Sequence, residues 1–326
     1  MEPALFVADL EAKPAALARL ALAFRAADPW AAAPPTPRRV LLLGMGSSRY
    51  AASTAALRLR SAGIDAVAEY ASADIGWPPD RDTLVVAISA TGESAETLAA
   101  AERHRGTSRL VALTERPDSS LAGMADSVVE LQAGEERGGV ACRTFQHTGL
   151  LLRALEARLG GRPVDAAGLC ERVAVATADL LDRRDRWLQP VLAAFDGPDG
   201  VFLISPAERL ASAEQGALMI REGPRRPAVA CETGDWSHVD VYLTKTLDYR
   251  ALIFAGSRWE PEALDWLAKR GATVVAVGGE AAGAAATVRY EGDDDPEVAM
   301  HAEVLVPELL GATWWRPGRL RALIRP

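Results

Sequence analysis

One feature constrains this chain more than any other. An unbroken apolar run, Val40-Leu41-Leu42-Leu43, ends in a small-residue turn, Gly44-Met45-Gly46-Ser47-Ser48, and passes into a helical pattern from Tyr50 to Gly63. A second run, Thr83-Leu84-Val85-Val86-Ala87-Ile88-Ser89, ends the same way in Ala90-Thr91-Gly92-Glu93-Ser94, and Leu110-Val111-Ala112-Leu113-Thr114 is a third. A strand that is apolar at every position must be covered on both faces, which points to a parallel sheet between helices. The plan then recurs with Val201-Phe202-Leu203-Ile204-Ser205, the helical stretch Ala211 to Glu222, the run Ala251 to Ser257 and the run Thr273 to Gly278. An offset of 161 sets Val40 on Val201, Ala52 on Ala213, Ala56 on Ala217, Leu57 on Leu218 and Arg60 on Arg221. The expected fold is α/β, with two doubly wound parallel-sheet (flavodoxin-like) domains in tandem. Residues 1–160 would hold an N-terminal helix (Leu10 to Ala27) and the first domain. Residues 161–326 would hold a linker helix (about Val164 to Phe195) and the second.

Composition removes several classes of function. A formal net charge of −8 argues against broad capture of nucleic acid or of an anionic membrane surface. No apolar run approaches the roughly 18 residues that a spanning helix needs. The start, Met1-Glu2-Pro3-Ala4 with Asp9 and Glu11 close behind, lacks the basic stretch of a signal peptide, so a cytoplasmic protein is expected. Cys142, Cys170 and Cys231 are isolated, which predicts reduced thiols and neither a zinc knot nor a disulfide framework. No cofactor and no metal is expected. Only Lys13, Lys245 and Lys269 are lysines, so amine chemistry has few candidates.

Open parallel sheets bind ligands beyond the carboxyl ends of their strands, where loops enter helices. The two loops there are rich in hydroxyls: Gly46, Ser47 and Ser48 in one, and Ser89, Ala90, Thr91, Gly92 and Ser94 in the other. Hydroxyls and the free N–H groups of a following helix hold phosphate without net positive charge. Simple helix capping by the same Ser and Thr residues is the competing reading. Gly44-Met45-Gly46 starts like a dinucleotide fingerprint, but Arg49 stands where its third glycine belongs, and no GxxxxGK[ST] loop is present.

The motifs resemble those of double sugar-isomerase (SIS) domain proteins, and the chain is similar to the isomerase half of the glucosamine-6-phosphate synthase family. Gly44 to Ser48 matches the family's Gly-x-Gly-[ST]-Ser turn, and Ile88 to Ser94 matches Ile-Ser-x-[ST]-Gly-Glu-[ST]. Ala133-Gly134-Glu135-Glu136-Arg137-Gly138-Gly139-Val140-Ala141-Cys142 resembles Ala-Gly-x-Glu-x-Gly-Val-Ala-Ser. In the second domain, Gln215 to Glu222 resembles Glu-Gly-Ala-Leu-Lys-Leu-Lys-Glu, and Glu232 to His238 resembles a segment ending in a catalytic histidine. Glu11-Ala12-Lys13-Pro14 echoes a short Glu-x-Gln-Pro motif. The resemblance implies that Ser48, Ser89, Thr91 and Ser94 bind a sugar phosphate, with Gly46, Ser47, Ala90, Gly92, Val140 and Cys142 lining the site. It implies that Glu222 moves a proton between C1 and C2 through an enediol and that His238 assists ring opening. In the family this histidine comes from the neighbouring subunit, so a homodimer with a shared site is implied.

The departures are specific. Ala90 replaces the family glutamine, Met219 a lysine, and Cys142 a serine. The run from Trp314 to Pro326 contains no counterpart of the tail lysine that forms a Schiff base, and a protein without a glutaminase domain and its N-terminal cysteine is expected. The expectation is therefore an enzyme acting on a phosphorylated sugar or amino sugar by aldose–ketose isomerisation, deamination or deglycation, without glutaminase activity. The alternative is a non-catalytic phosphosugar sensor. Of the other groups, Glu222 could be a solvated helix-end carboxylate, and His147, His301 and Cys142 read as packing residues. Asp293-Asp294-Asp295 reads as a solvated loop.

Overall fold

The structure, a computed structural model, describes residues 2–161 and 163–315; the tail from Arg316 to Pro326, where the missing Schiff-base lysine was noted, lies outside the described residues. It contains two five-stranded sheets in which every pairing is parallel. The first comprises β1 (Arg39–Gly44), β2 (Asp65–Tyr70), β3 (Thr83–Ile88), β4 (Arg109–Thr114) and β5 (Ser127–Glu130), in the order β2-β1-β3-β4-β5. The second comprises β6 (Val201–Ser205), β7 (Ala228–Glu232), β8 (Arg250–Phe254), β9 (Thr273–Val277) and β10 (Ala286–Val288), in the order β10-β9-β8-β6-β7. Taken from the other edge, the second order is that of the first. The repeat that few identities supported in sequence is thus a repeat of topology.

The helices of the first half are α1 (Pro3–Glu11), α2 (Lys13–Ala26), α3 (Gly46–Ser61), α4 (Ala95–His104), α5 (Ser120–Met124) and α6 (Arg143–Gly160). Those that follow are α7 (Ala166–Asp182), α8 (Arg184–Ala194), α9 (Leu210–Glu222), α10 (Thr233–Trp236), α11 (Glu260–Lys269), α12 (Pro296–Ala302) and α13 (Leu305–Trp314). None is long and apolar enough to cross a membrane. By contact density the chain divides into two compact units. One holds Ala15–Glu135 and Ala141–Glu171 with the first sheet. The other holds the residues up to Pro14, Glu136–Val140 and those from Arg172 onward, with the second sheet.

The interior strands form the cores. Leu41, Leu43, Val85, Ala87, Leu110 and Ala112 of the first sheet pack with Ala100 and Ala101 of α4 and Leu121 of α5, all buried. In the second unit, Phe202 stacks on Tyr249 with ring centroids 4.0 Å apart. The Trp236 indole N–H donates to the Tyr249 hydroxyl at 2.8 Å, which satisfies both polar groups inside an apolar cluster.

Three details differ from the sequence reading. The single helix expected from Leu10 to Ala27 is two helices that break at Ala12, and α1 belongs to the second unit, where it packs against α13. Lys13 is fully buried there and ion-paired with the equally buried Glu308 of α13. The aspartate run is not merely solvated: Asp293 pairs with Arg289 at 2.5 Å and accepts the Tyr290 N–H, while Asp295 caps α12 by accepting the Glu297 N–H at 3.0 Å. Among the described residues no group of three or more His, Cys, Asp and Glu side chains is arranged to hold a metal.

Candidate active site

The order β2-β1-β3-β4-β5 reverses direction between β1 and β3, so the helices after these two strands cover opposite faces of the sheet. A crevice at such a switch point is flanked by the loops leaving the two strands. Here those loops are Gly44 to Ser48 and Ser89 to Ser94, the two hydroxyl-rich turns of the sequence. Gly44 must be glycine for a steric reason: a Cβ there would stand 2.9 Å from the Ser48 Cβ and 3.1 Å from the Arg49 backbone nitrogen. Gly92 has φ +67°, and a Cβ there would collide with the Ser119 hydroxyl.

The hydroxyls do not act as helix caps. The residue preceding α3 is Met45, and Ser94 precedes α4 without a side-chain bond to the helix backbone. Ser48 makes no side-chain hydrogen bond among the described residues, although it is only partly exposed. The Ser89 hydroxyl accepts the Gly92 N–H at 3.1 Å and the Thr91 hydroxyl accepts the Glu93 N–H at 3.2 Å. Both act as acceptors, which leaves their own O–H groups to donate. Ser94 donates to Glu96 at 3.0 Å and accepts from Thr97 at 3.2 Å. The Glu96 carboxyl lies below its ordinary range because it folds onto its own backbone N–H and the Ser94 hydroxyl. This helix terminus therefore already attracts a carboxylate. The arrangement can bind an oxyanion through hydroxyls and amide N–H groups.

Two carboxylates that the motif reading left without a role shape this end of the sheet. Glu93 accepts the Ser120 N–H at 2.8 Å, and that amide with the Ser120 hydroxyl holds its carboxyl below the ordinary range. Glu115 does more. Its backbone N–H donates to the Ala90 carbonyl at 3.1 Å, and its side chain accepts the Ala133 and Gly134 N–H groups at 2.9 and 2.8 Å. One residue thus ties the β3–α4 loop to the segment that follows β5. No sequence motif marks it, because its partners are backbone amides. Glu115→Ala leaves two amides without their charged acceptor, so a loss of about 1.5–3 kcal/mol is expected. Denaturant unfolding reads the loss, and hydrogen exchange should quicken at Ala133 and Gly134 before the β4 amides.

The remaining expected residues lie on the α6 approach and in the second unit. Cys142 is fully buried at the residue preceding α6, and His147 is fully buried with Nδ1 2.8 Å from the Leu131 carbonyl, as packing residues would be. Val140 is buried in the short segment whose Gly138 N–H donates to Asp9 at 2.7 Å. Glu222 is the last residue of α9. It is exposed by accessible area, yet the protein around it desolvates the carboxyl and holds it above the ordinary carboxylate range, with Arg221 opposing. Met219, one turn earlier, is fully buried, with the Gly311 backbone of α13 packed at its carbonyl. His238 is exposed just after α10, in a turn closed by its N–H to the Asp235 carbonyl.

Residues 36–158, which include both hydroxyl loops, match the SIS domain family. The first domain is thus similar to SIS domains. It is 28% identical over 218 residues to a glutamine–fructose-6-phosphate aminotransferase (isomerizing) of Gloeobacter violaceus, a match that covers 63% of this chain and 36% of that one. The chain spans about a third of the length of curated relatives such as this one. The C-terminal domain of the Francisella tularensis glucosamine-fructose-6-phosphate aminotransferase shares the fold with a TM-score of 0.79 at 17% identity, over 95% of this chain and 96% of that one. A Thermotoga maritima glucosamine-6-phosphate deaminase shares it with a TM-score of 0.71 at 17% identity, over 95% of this chain and 94% of that one. The likeness of fold extends over nearly the whole chain, whereas the family match covers residues 36–158.

Proposed function

We propose that this chain is a SIS-domain enzyme of phosphorylated sugars or amino sugars, carrying out aldose–ketose isomerisation or the related deamination or deglycation. The observation that carries the reading is the pair of hydroxyl loops at the first switch point, whose Ser and Thr side chains leave their helix ends uncapped. Ser48, Ser89, Thr91 and Ser94, with the amides that begin α3 and α4, hold the phosphate. The names of the relatives, an isomerizing aminotransferase and a deaminase of glucosamine 6-phosphate, support that substrate class.

In this reading Glu222 is the general base. It takes the proton from one of the two adjacent carbons and returns it to the other, so that the enediol forms and collapses without net loss of protons. A carboxyl held above its usual range is a stronger base than an ordinary carboxylate, which suits it to that work. His238 assists opening of the sugar ring. A homodimer is part of the proposal: Val239, Tyr242 and Leu243 beside His238, and Trp259, are exposed apolar side chains of the kind a second copy would cover.

The test is proton NMR with a panel of sugar phosphates in heavy water. Deuterium entering C1 or C2, new sugar signals or released amine would establish the enzyme and its substrate. Line broadening without exchange across the panel would favour a phosphosugar sensor, the reading that Ala90 and Met219 support. No binding at all would overturn both.

A further inference from the structure

The second sheet has its own switch point, between β6 and β8, and it is furnished differently. The offset that aligns the two halves sets Arg209 opposite Ser48. Arg209 immediately precedes α9, and one guanidinium nitrogen donates to the carbonyl of Ala255, the residue after β8. Its head therefore lies over the carboxyl end of β8, where a ligand of this fold would bind. The other terminal nitrogen donates to Glu303, which is fully buried. The Ser212 hydroxyl, in the first turn of α9, donates to the Met300 carbonyl at 3.3 Å. A carboxylate, a guanidinium and a helix N-terminus thus meet at a switch point. The neighbouring Gly256 N–H is taken by Glu260, again a carboxylate of the chain, at 2.8 Å.

A further polar group points the same way. The Tyr290 hydroxyl, on a residue 4% exposed, has no hydrogen-bond partner among the described residues, and neither does the second oxygen of Glu303. Tyr290 interacts electrostatically with both Glu303 and Arg209, and Asp293 and Arg289 are the other charged groups that face it. Buried polar groups are normally paired, so two unpaired ones beside a guanidinium mark a site built for more partners than it has.

We propose that the second domain retains an oxyanion site at its switch point and fills it with its own Glu303 carboxylate. The second site of each chain is then latent. This inference does not depend on the proposed enzymatic activity.

The test counts inorganic phosphate ions bound per chain by isothermal titration calorimetry, in the wild type and in Glu303→Ala. One more phosphate per chain in Glu303→Ala than in the wild type is expected, and this gain should vanish in Glu303→Ala/Arg209→Ala. The wild-type count reports separately on the first-domain loops, so failure of that reading leaves the difference readable. An unchanged count in a folded Glu303→Ala protein overturns the proposal. If Glu303→Ala is unfolded in plain buffer, near-UV circular dichroism is followed as formate or phosphate is added, with chloride as control. Recovery specific to the oxyanions upholds the latent site, and no recovery overturns it.

Discussion

Glu222→Gln is expected to lower kcat on the converted sugar phosphate by about 10²–10⁴-fold, the usual contribution of a positioned general base, while changing substrate affinity only a few-fold. The amide keeps the size and hydrogen-bonding reach of the carboxylate but cannot accept a proton. The pH profile supplies an independent reading. Glu222 must be deprotonated to act, so kcat/KM should rise with pH through its pKa. Because burial raises that pKa and Arg221 only partly offsets the rise, the acid limb should lie above the ordinary carboxylate range. Full turnover in Glu222→Gln would exclude the residue as base. Loss of binding together with turnover would show instead that the carboxylate shapes the end of α9.

The largest stability effect is expected at Lys13, at the break between α1 and α2. Lys13→Met removes one partner of a fully buried ion pair and strands the Glu308 charge, which should cost about 3–5 kcal/mol in denaturant unfolding. Lys13→Met/Glu308→Leu should recover most of that loss, because apolar side chains of similar volume replace a buried pair at little cost. The sign of the pH dependence follows from Glu308. Burial, outweighing Lys13, pushes its carboxyl from 4.5 up to about 7. The folded state therefore binds the proton more tightly than the unfolded chain, and the associated stability is present below about pH 4.5 and lost as pH rises toward 7. In Lys13→Met the opposing cation is gone and the raised pKa climbs further, so the variant should be less impaired at pH 5 than at pH 8. An equal deficit at both pH values would show that Glu308 does not titrate in the fold.

The chain of amino acids by itself determined the six interior strands, the helices that follow them and the tandem plan. These strands are covered on both faces, so their central positions are apolar and the run stands out: Val40 to Leu43, Leu84 to Ile88 and Leu110 to Leu113 are buried throughout, as are Val201 to Ile204 in the second sheet. The four strands that escaped notice, β2, β5, β7 and β10, are the four sheet edges. Edge strands have neighbours on one side only and are half-exposed, so Asp65, Glu69, Glu130 and Glu232 are tolerated and the apolar run is broken. The hydroxyl loops were legible for a similar reason, because a turn that hugs a helix start demands glycine and small residues at fixed positions. What only the tertiary structure decided was the pairing of groups distant in sequence. Lys13 finds Glu308 and Arg209 finds Glu303 across separations of 295 and 94 residues, and Glu115 reaches the Ala133 and Gly134 amides. A buried charge must be neutralised or hydrogen-bonded, but its residue type does not say by what partner. That partner is named only when the folded chain brings the two together.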